Sequence, residues 1–303
     1  MKPSERDVVI LGLGPAGLQA AVHAARRKMS VLLMGSIQKS SLFAAHIENY
    51  FSLFNISGEE MLQRGLAQVR HFGAEILEEN VIAIDPEGSR FRIRSEGGAV
   101  IDAFSLILAT GSKRNKLGVP GEKAFLGKGV SYCVDCDGLF FRGADVCVTG
   151  NESAAVDGAL TLVKTAGQVH LVCEKVAVAE TLHKELGASP VIIHEKSRIK
   201  EIYGNETVEG VRLTDGTQLP VEGVFIEQGA KGVLELALKL GIQLDDEMKY
   251  IQTSKQQETS VPGIFAAGDI CGMPWQMAKA VGEGCVAGIG AAMWAKNQRR
   301  KAG

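Results

Sequence analysis

Cysteine and aromatic residues are scarce in this chain, charges of the two signs nearly cancel, and long apolar runs are missing. Six cysteines in 303 residues are too few for a disulfide scaffold, and only Cys133 and Cys136 stand close together, which points to a reducing cytosol. The 33 Lys and Arg against 35 Asp and Glu leave a net charge of −2, so no basic footprint for nucleic acid exists. No run approaches the roughly eighteen apolar residues of a membrane span. The opening MKPSERDVVILGLG lacks the apolar core and small-residue cleavage site of a secretory signal. Apolar residues at 46% and charged residues at 22% describe an ordinary globular chain, and its length suggests two domains of roughly 150 residues each. Against 6% aromatics stand 36 glycines, a balance suited to close backbone approach and α/β crossovers.

The first glycines fall at an informative place. Asp7 to Leu11 is a short aliphatic run, Gly12-Leu13-Gly14-Pro15-Ala16-Gly17 follows, Leu18 to Arg27 has helical character, and Val31 to Met34 is a second apolar run. A G-x-G-x-x-G turn between a strand and a helix is the opening of a dinucleotide-binding βαβ unit: Gly12 for the tight turn, Gly14 for approach to a pyrophosphate, Gly17 for helix–strand packing. A glycine-rich turn in another α/β fold is the alternative. The ribose-binding acid expected about twenty residues on is missing, because Met34 and Gly35 end the second strand.

A second unit of this design begins near Asp145. Val146 to Val148 leads into Thr149-Gly150-Asn151-Glu152-Ser153-Ala154-Ala155, a helix is expected from Val156 to Thr165, and a strand from Val169 to Cys173. Late in the chain, Val261 to Asp269 reads as a turn and a buried strand ending in an acid, followed by a helix from Gln276 to Trp294. The expected fold is therefore α/β, two Rossmann-like dinucleotide-binding domains with the second inserted into the first. Residues 1–115 plus 246–303 would form one and 116–245 the other, with joins at Lys116 to Glu122 and Asp245 to Glu247. Lys296 to Gly303 reads as a solvated basic end without a function.

Chemistry is expected in Ser131-Tyr132-Cys133-Val134-Asp135-Cys136-Asp137-Gly138. A C-x-x-C at a helix start lets two sulfurs bond and lowers a thiol pKa through the helix dipole. Half of a zinc site and two inert thiols are the other readings, but Cys147, Cys173, Cys271 and Cys285 are isolated and supply no second close pair, so no metal is expected.

CVDCDG, GLGPAG, Ala109-Thr110-Gly111-Ser112 and VPGIFAAGD occur in an order that resembles the low-molecular-weight thioredoxin reductases over nearly the whole length, Ile47 to Tyr50 and Gln276 to Ala278 included. That resemblance implies an FAD-dependent disulfide reductase, a homodimer, and an inserted domain that rotates about hinges near Gly118 to Gly121 to serve a thioredoxin or thioredoxin-like protein. Cys136 would lie against the flavin, Cys133 would attack the substrate disulfide and Asp137 would shuttle the proton. Gly12, Gly14, Pro15, Ala16 and Gly17 would cradle the FAD pyrophosphate with Gly35 nearby. Thr110 and Gly111 would pack beside the cofactor, Asp269 would bond the ribityl chain, and Asn49, Gln276, Met277 and Ala278 would lie near the flavin. Trp275 stands where the family often has a basic residue.

The resemblance weakens at the second glycine turn. Gly150 is kept, but Glu152 replaces the next glycine and would set a carboxylate against a pyrophosphate, a repulsion of about 1–4 kcal/mol at about 4 Å. The arginines expected for a 2′-phosphate are replaced by Cys173-Glu174-Lys175. NADPH is disfavoured. Glu174 could still bond the 2′-hydroxyl of NADH. The stronger alternative is a protein donor, and the chain then looks like the ferredoxin-dependent flavin thioredoxin reductases. From a ferredoxin at about −400 mV to thioredoxin at about −270 mV, two electrons run downhill by about 6 kcal/mol. A non-catalytic flavin sensor or scaffold would need no paired thiols beside an acid, and a ferredoxin-NADP reductase would need a good NADP site.

Overall fold

The computed structural model describes residues 4–111, 116–132, 134–228, 237, 239–246 and 249–302. Two units divide the chain. Met1–Ser95, Ala99–Lys113 and Leu236–Gly303 form the first, and Glu96–Gly98 with Arg114–Glu235 form the second.

In the first unit, β1 (Ser4–Leu11) buries Val8 to Leu11 and runs parallel to β2 (Val31–Met34), with α1 (Pro15–Arg26) as the crossover. A short hairpin of β3 (His46–Ile47) and β4 (Ile56–Ser57) precedes α2 (Gly58–His71). The Ser57 hydroxyl caps α2 by accepting the Glu60 N–H at 3.1 Å, and Leu62, Leu66 and Val69 form its buried stripe. After β5 (Glu75–Leu77), the strands β6 (Val81–Glu87), β7 (Arg90–Ser95) and β8 (Val100–Leu108) form an antiparallel meander whose last strand pairs parallel with β1.

The second unit holds β9 (Val130–Ser131), the single helical turn α3 (Val134–Asp137), β10 (Val146–Thr149), α4 (Ser153–Leu162), β11 (Val169–Val172), α5 (Glu180–Gly187) and β12 (Ile192–His194). The strands β13 (Ile199–Gly204), β14 (Val208–Leu213) and β15 (Gln218–Leu219) make a separate antiparallel sheet, and β16 (Gly223–Ile226) returns to the parallel one. Its order is β12-β11-β10-β16-β9. Every residue of β10, β11 and β16 is buried because both faces are covered. Val146, Val148 and Leu171 pack toward α4 and α5, while the alternate Cys147, Val172 and Val224 pack on the β13–β15 sheet. The helix after β10 begins at Ser153, three residues before the expected start, because the chain is already in its first turn behind Glu152.

The chain then completes the first unit. β17 (Ile264–Ala266) pairs parallel with the end of β8, giving the order β5-β2-β1-β8-β7-β6 with β17 beside β8. The last helix, α6 (Met277–Ala302), lies close on α1, since a Cβ on Gly284 or Gly288 would come within 2.2 or 2.3 Å of the Ala16 or Ala20 carbonyl oxygen. It runs past Trp294, through the segment expected to be a solvated end. Ala291, Ala292 and Ala295 keep its apolar stripe in the core, and Arg299 donates to buried Asp7 at 3.1 Å. In each unit the strand order reverses at one point, between β1 and β8 and between β10 and β16, and the carboxyl ends of those strands bound a crevice.

Candidate functional site

At the carboxyl edge of the first sheet, β1 runs into Gly12, whose φ is +114° and whose absent Cβ would lie 2.2 Å from the Ala109 carbonyl oxygen after β8. No side chain fits there. A Cβ on Gly17 would lie 1.9 Å from the Gly12 carbonyl oxygen, so α1 presses directly on the turn. Gly14 is the extended N-cap of α1, no side chain caps the helix, and Pro15 contributes no N–H. The uncapped first-turn amides and the positive end of the helix dipole suit a pyrophosphate, so this turn fits the dinucleotide expected there. Gly35, after β2, lies against Leu13 and Gly12. Thr110 is exposed and Gly111 has open space where its Cβ would be.

The return segment reaches the same edge. The Ala267 N–H donates to the Leu108 carbonyl at 3.0 Å, and a Cβ on Gly268 would meet the Ala16 methyl at 3.0 Å. Asp269 therefore follows directly on a contact with the start of α1. Burial raises its carboxyl above the usual range, Lys279 opposes this and Glu283 adds to it. Asn49 donates to Gln276 Oε1 at 3.0 Å, which brings together two exposed residues far apart in the chain, with half-buried Met277 and exposed Ala278 following. Trp275 is 55% exposed, so it is no core residue of this unit.

In the second unit, Cys136 sits on α3; Cys133 lies outside the described residues. Ser131, at the end of β9, donates to Asp137 Oδ2 at 2.6 Å. The Tyr132 hydroxyl donates to Glu122, which is 6% exposed and also accepts the Leu117 N–H at 2.9 Å and the Gly118 N–H. Burial pushes the Glu122 carboxyl up, but the bonds from Tyr132 and the backbone outweigh it and hold the group below its ordinary range. Glu227, 5% exposed after β16, accepts the Val134 N–H at 3.1 Å and so anchors the start of α3. The free thiols of Cys147 and Cys173 are pushed by burial to about 12 and about 11, far from nucleophilic range.

The second glycine turn differs from the first. A Cβ on Gly150 would lie 1.9 Å from the Glu227 carbonyl oxygen, so the close approach of β10 to β16 is kept. Glu152 is the N-cap of α4 and its side chain makes no capping bond. Asn151 accepts the Glu174 N–H at 2.9 Å, and Glu174 is bound to Arg198 at 2.6 Å, which lowers its carboxyl pKa. Glu152 thus heads α4 where the strand order reverses, and the backbone of Glu227 lies against Gly150 there while its carboxylate turns to Val134. Glu227 and Arg198 escaped the sequence argument; an acid directly after the apolar Gly223 to Ile226 run was the available sign.

A family model for pyridine nucleotide-disulphide oxidoreductases matches residues 6–284. The chain is 34% identical over 294 residues to the thioredoxin reductase of Listeria monocytogenes, covering 93% of this chain and 91% of that one. Among solved structures, the atypical thioredoxin reductase TRi from Desulfovibrio vulgaris Hildenborough superposes with a TM-score of 0.85 at 33% identity, covering 97% of this chain and 99% of that one. A ferredoxin-flavin thioredoxin reductase from Clostridium acetobutylicum gives 0.70 at 31% identity, with the same two coverages. The chain therefore belongs to the pyridine nucleotide-disulphide oxidoreductase family, as an FAD-binding oxidoreductase of the low-molecular-weight thioredoxin reductase group.

Proposed function

We propose that this chain reduces the disulfide of thioredoxin or a thioredoxin-like protein through Cys133 and Cys136, and that its FAD receives electrons from a protein donor of the ferredoxin type. The second crevice carries the choice of donor. Glu152 heads α4 where a dinucleotide turn needs a glycine, Glu227 follows β16 against Gly150, and Glu174 is already bonded to Arg198. Negative charge at the helix start opposes a pyrophosphate, whatever the nicotinamide half offers. The Clostridium acetobutylicum neighbour, named for ferredoxin and flavin, supports the same class of donor.

Residues 1–115 with 246–303 are the FAD-binding part in this proposal, and 116–245 carry the thiols. Gly12, Gly14 and Ala16 hold the pyrophosphate at the start of α1, Gly35, Thr110 and Gly111 flank the cofactor, and Asp269 accepts from the ribityl hydroxyls. Asn49, Gln276, Met277 and Ala278 border the ring system. Bound FAD supplies the conversion between single electrons and an electron pair. The Cys133 thiolate attacks one sulfur of the substrate disulfide and releases the other as a thiolate, which takes a proton held at Asp137. Cys136 then attacks Cys133, freeing the second substrate thiol and leaving the 133–136 disulfide oxidised by two electrons. Ser131 orients Asp137 for this transfer. The protein acts in the cytosol as a homodimer.

Anaerobic mixing of the oxidised protein with reduced ferredoxin, NADH or NADPH, followed by flavin absorbance, tests the donor. Ferredoxin should bleach the flavin completely while both nucleotides leave it oxidised on the same timescale. Rapid bleaching by NADPH would overturn the assignment.

A further inference from the structure

The turn that carries Asp269 is closed around a lysine. Lys279, in the first turn of α6, donates from Nζ to the carbonyl oxygens of Gly268 and Gly272, each at 2.9 Å, and its third proton faces Glu283 Oε2 at 3.1 Å. The same carboxylate oxygen accepts the Gly268 N–H at 2.8 Å. One ammonium thus brackets both ends of the 268–272 turn, and one carboxylate holds ammonium and turn together. The two side chains are only 17% and 19% exposed, so the pair is shielded from solvent far more than a surface ion pair.

We infer that Lys279, held by Glu283, is a positioning residue for FAD, fixing the Gly268–Gly272 turn so that Asp269 is presented to the cofactor. Two carbonyl oxygens, the Glu283 carboxylate and the Asp269 carboxylate converge here, and Lys279 is the cation among them. Without it, like partial charges face one another and the turn opens. Asp269 then loses both its alignment and the charge that offsets its burial beside Glu283. The contact of Gly268 with Ala16 makes the consequence specific, because the same turn rests on the start of α1. The inference rests on the proposed contact of Asp269 with FAD.

FAD release on serial dilution of the holoprotein, read by the fluorescence of free FAD, tests it. Lys279→Met should raise the FAD dissociation constant about tenfold or more, the scale of a lost charged hydrogen-bond set. In Lys279→Met/Glu283→Gln, where the uncompensated carboxylate is gone but the bonds to the Gly268 and Gly272 carbonyls are still missing, affinity should recover part of that loss. A purely packing role for the lysine stem would give no recovery. Lys279→Gln, which keeps donors without charge, is measured alongside in case the methionine variant misfolds and should fall between wild type and Lys279→Met. Wild-type affinity in Lys279→Met or Lys279→Gln, or a double variant no better than the single one, overturns the inference. Asp269→Ala separates the two layers: if it keeps FAD as tightly as wild type, the Asp269 contact itself fails. If it loses FAD while Lys279→Met and Lys279→Gln do not, only the role of Lys279 fails.

Discussion

Glu174 Oε2, just after β11, is bonded to Arg198 Nη2 at 2.6 Å. Both side chains are at least half exposed, so the pair adds little to stability, but it engages the acid whose spacing after Gly150 matches the ribose-binding position of a dinucleotide fold. In the proposed function, this bonded acid and Glu152, at the head of α4, both work against a nucleotide here.

Removing the head-on charge should matter more than freeing the acid. In Glu152→Gly the lost repulsion of about 1–4 kcal/mol should tighten NADH binding about fivefold to several hundredfold, whereas Arg198→Ala should change it by less than about threefold. Fluorescence titration with NADH checks both. Equal effects of the two substitutions would place the barrier elsewhere.

Asp137 and Ser131 should separate proton transfer from electron input. Asp137→Asn should slow thioredoxin reduction by about 10²–10⁴, the range of a lost general acid, and Ser131→Ala by about tenfold through misorientation. Stopped-flow rates of flavin reduction by the donor should be unchanged in both. A matching drop in the reductive half would assign these residues to folding instead.

Glu122 should make the second unit acid-sensitive. Its folded pKa lies below the unfolded value of about 4.3, so the carboxylate stabilises the fold above that value, and the contribution disappears as pH falls through the folded pKa. Glu122→Gln should cost about 1–3 kcal/mol at neutral pH, with the difference from wild type shrinking on acidification below about pH 4. Thermal melts across that range measure it; a pH-independent difference would mean that packing, not charge, is lost.

The fold class and the family could be read in the sequence because their signals are local. A glycine forced by a 2.2 Å approach at Gly12 leaves its mark at one position, and the runs Val8 to Leu11 and Val146 to Thr149 carry their burial in their composition. Partner choice at the candidate site could not be read in this way. Asn49 meets Gln276 across 227 residues, Glu174 meets Arg198 only because the chain turns back after β12, and Glu227 reaches Val134 through the order of strands. The course of α6 beyond Trp294 was hidden for a related reason. Arg299 stays more than half exposed there, and its bond to buried Asp7 depends on β1 lying beside it.

The exchange of electrons between FAD, the thiols and thioredoxin is tested most directly in a single anaerobic turnover. Protein reduced by four equivalents of ferredoxin, two electrons each for the flavin and the thiol pair, is mixed with one equivalent of oxidised thioredoxin, and flavin absorbance and thioredoxin thiols are followed together. Wild type should reoxidise its flavin while two thioredoxin thiols appear per flavin. Cys133→Ser and Cys136→Ser should each stay reduced and yield none. Flavin reoxidation with thiol release undiminished in either variant would contradict the assignment of that cysteine pair.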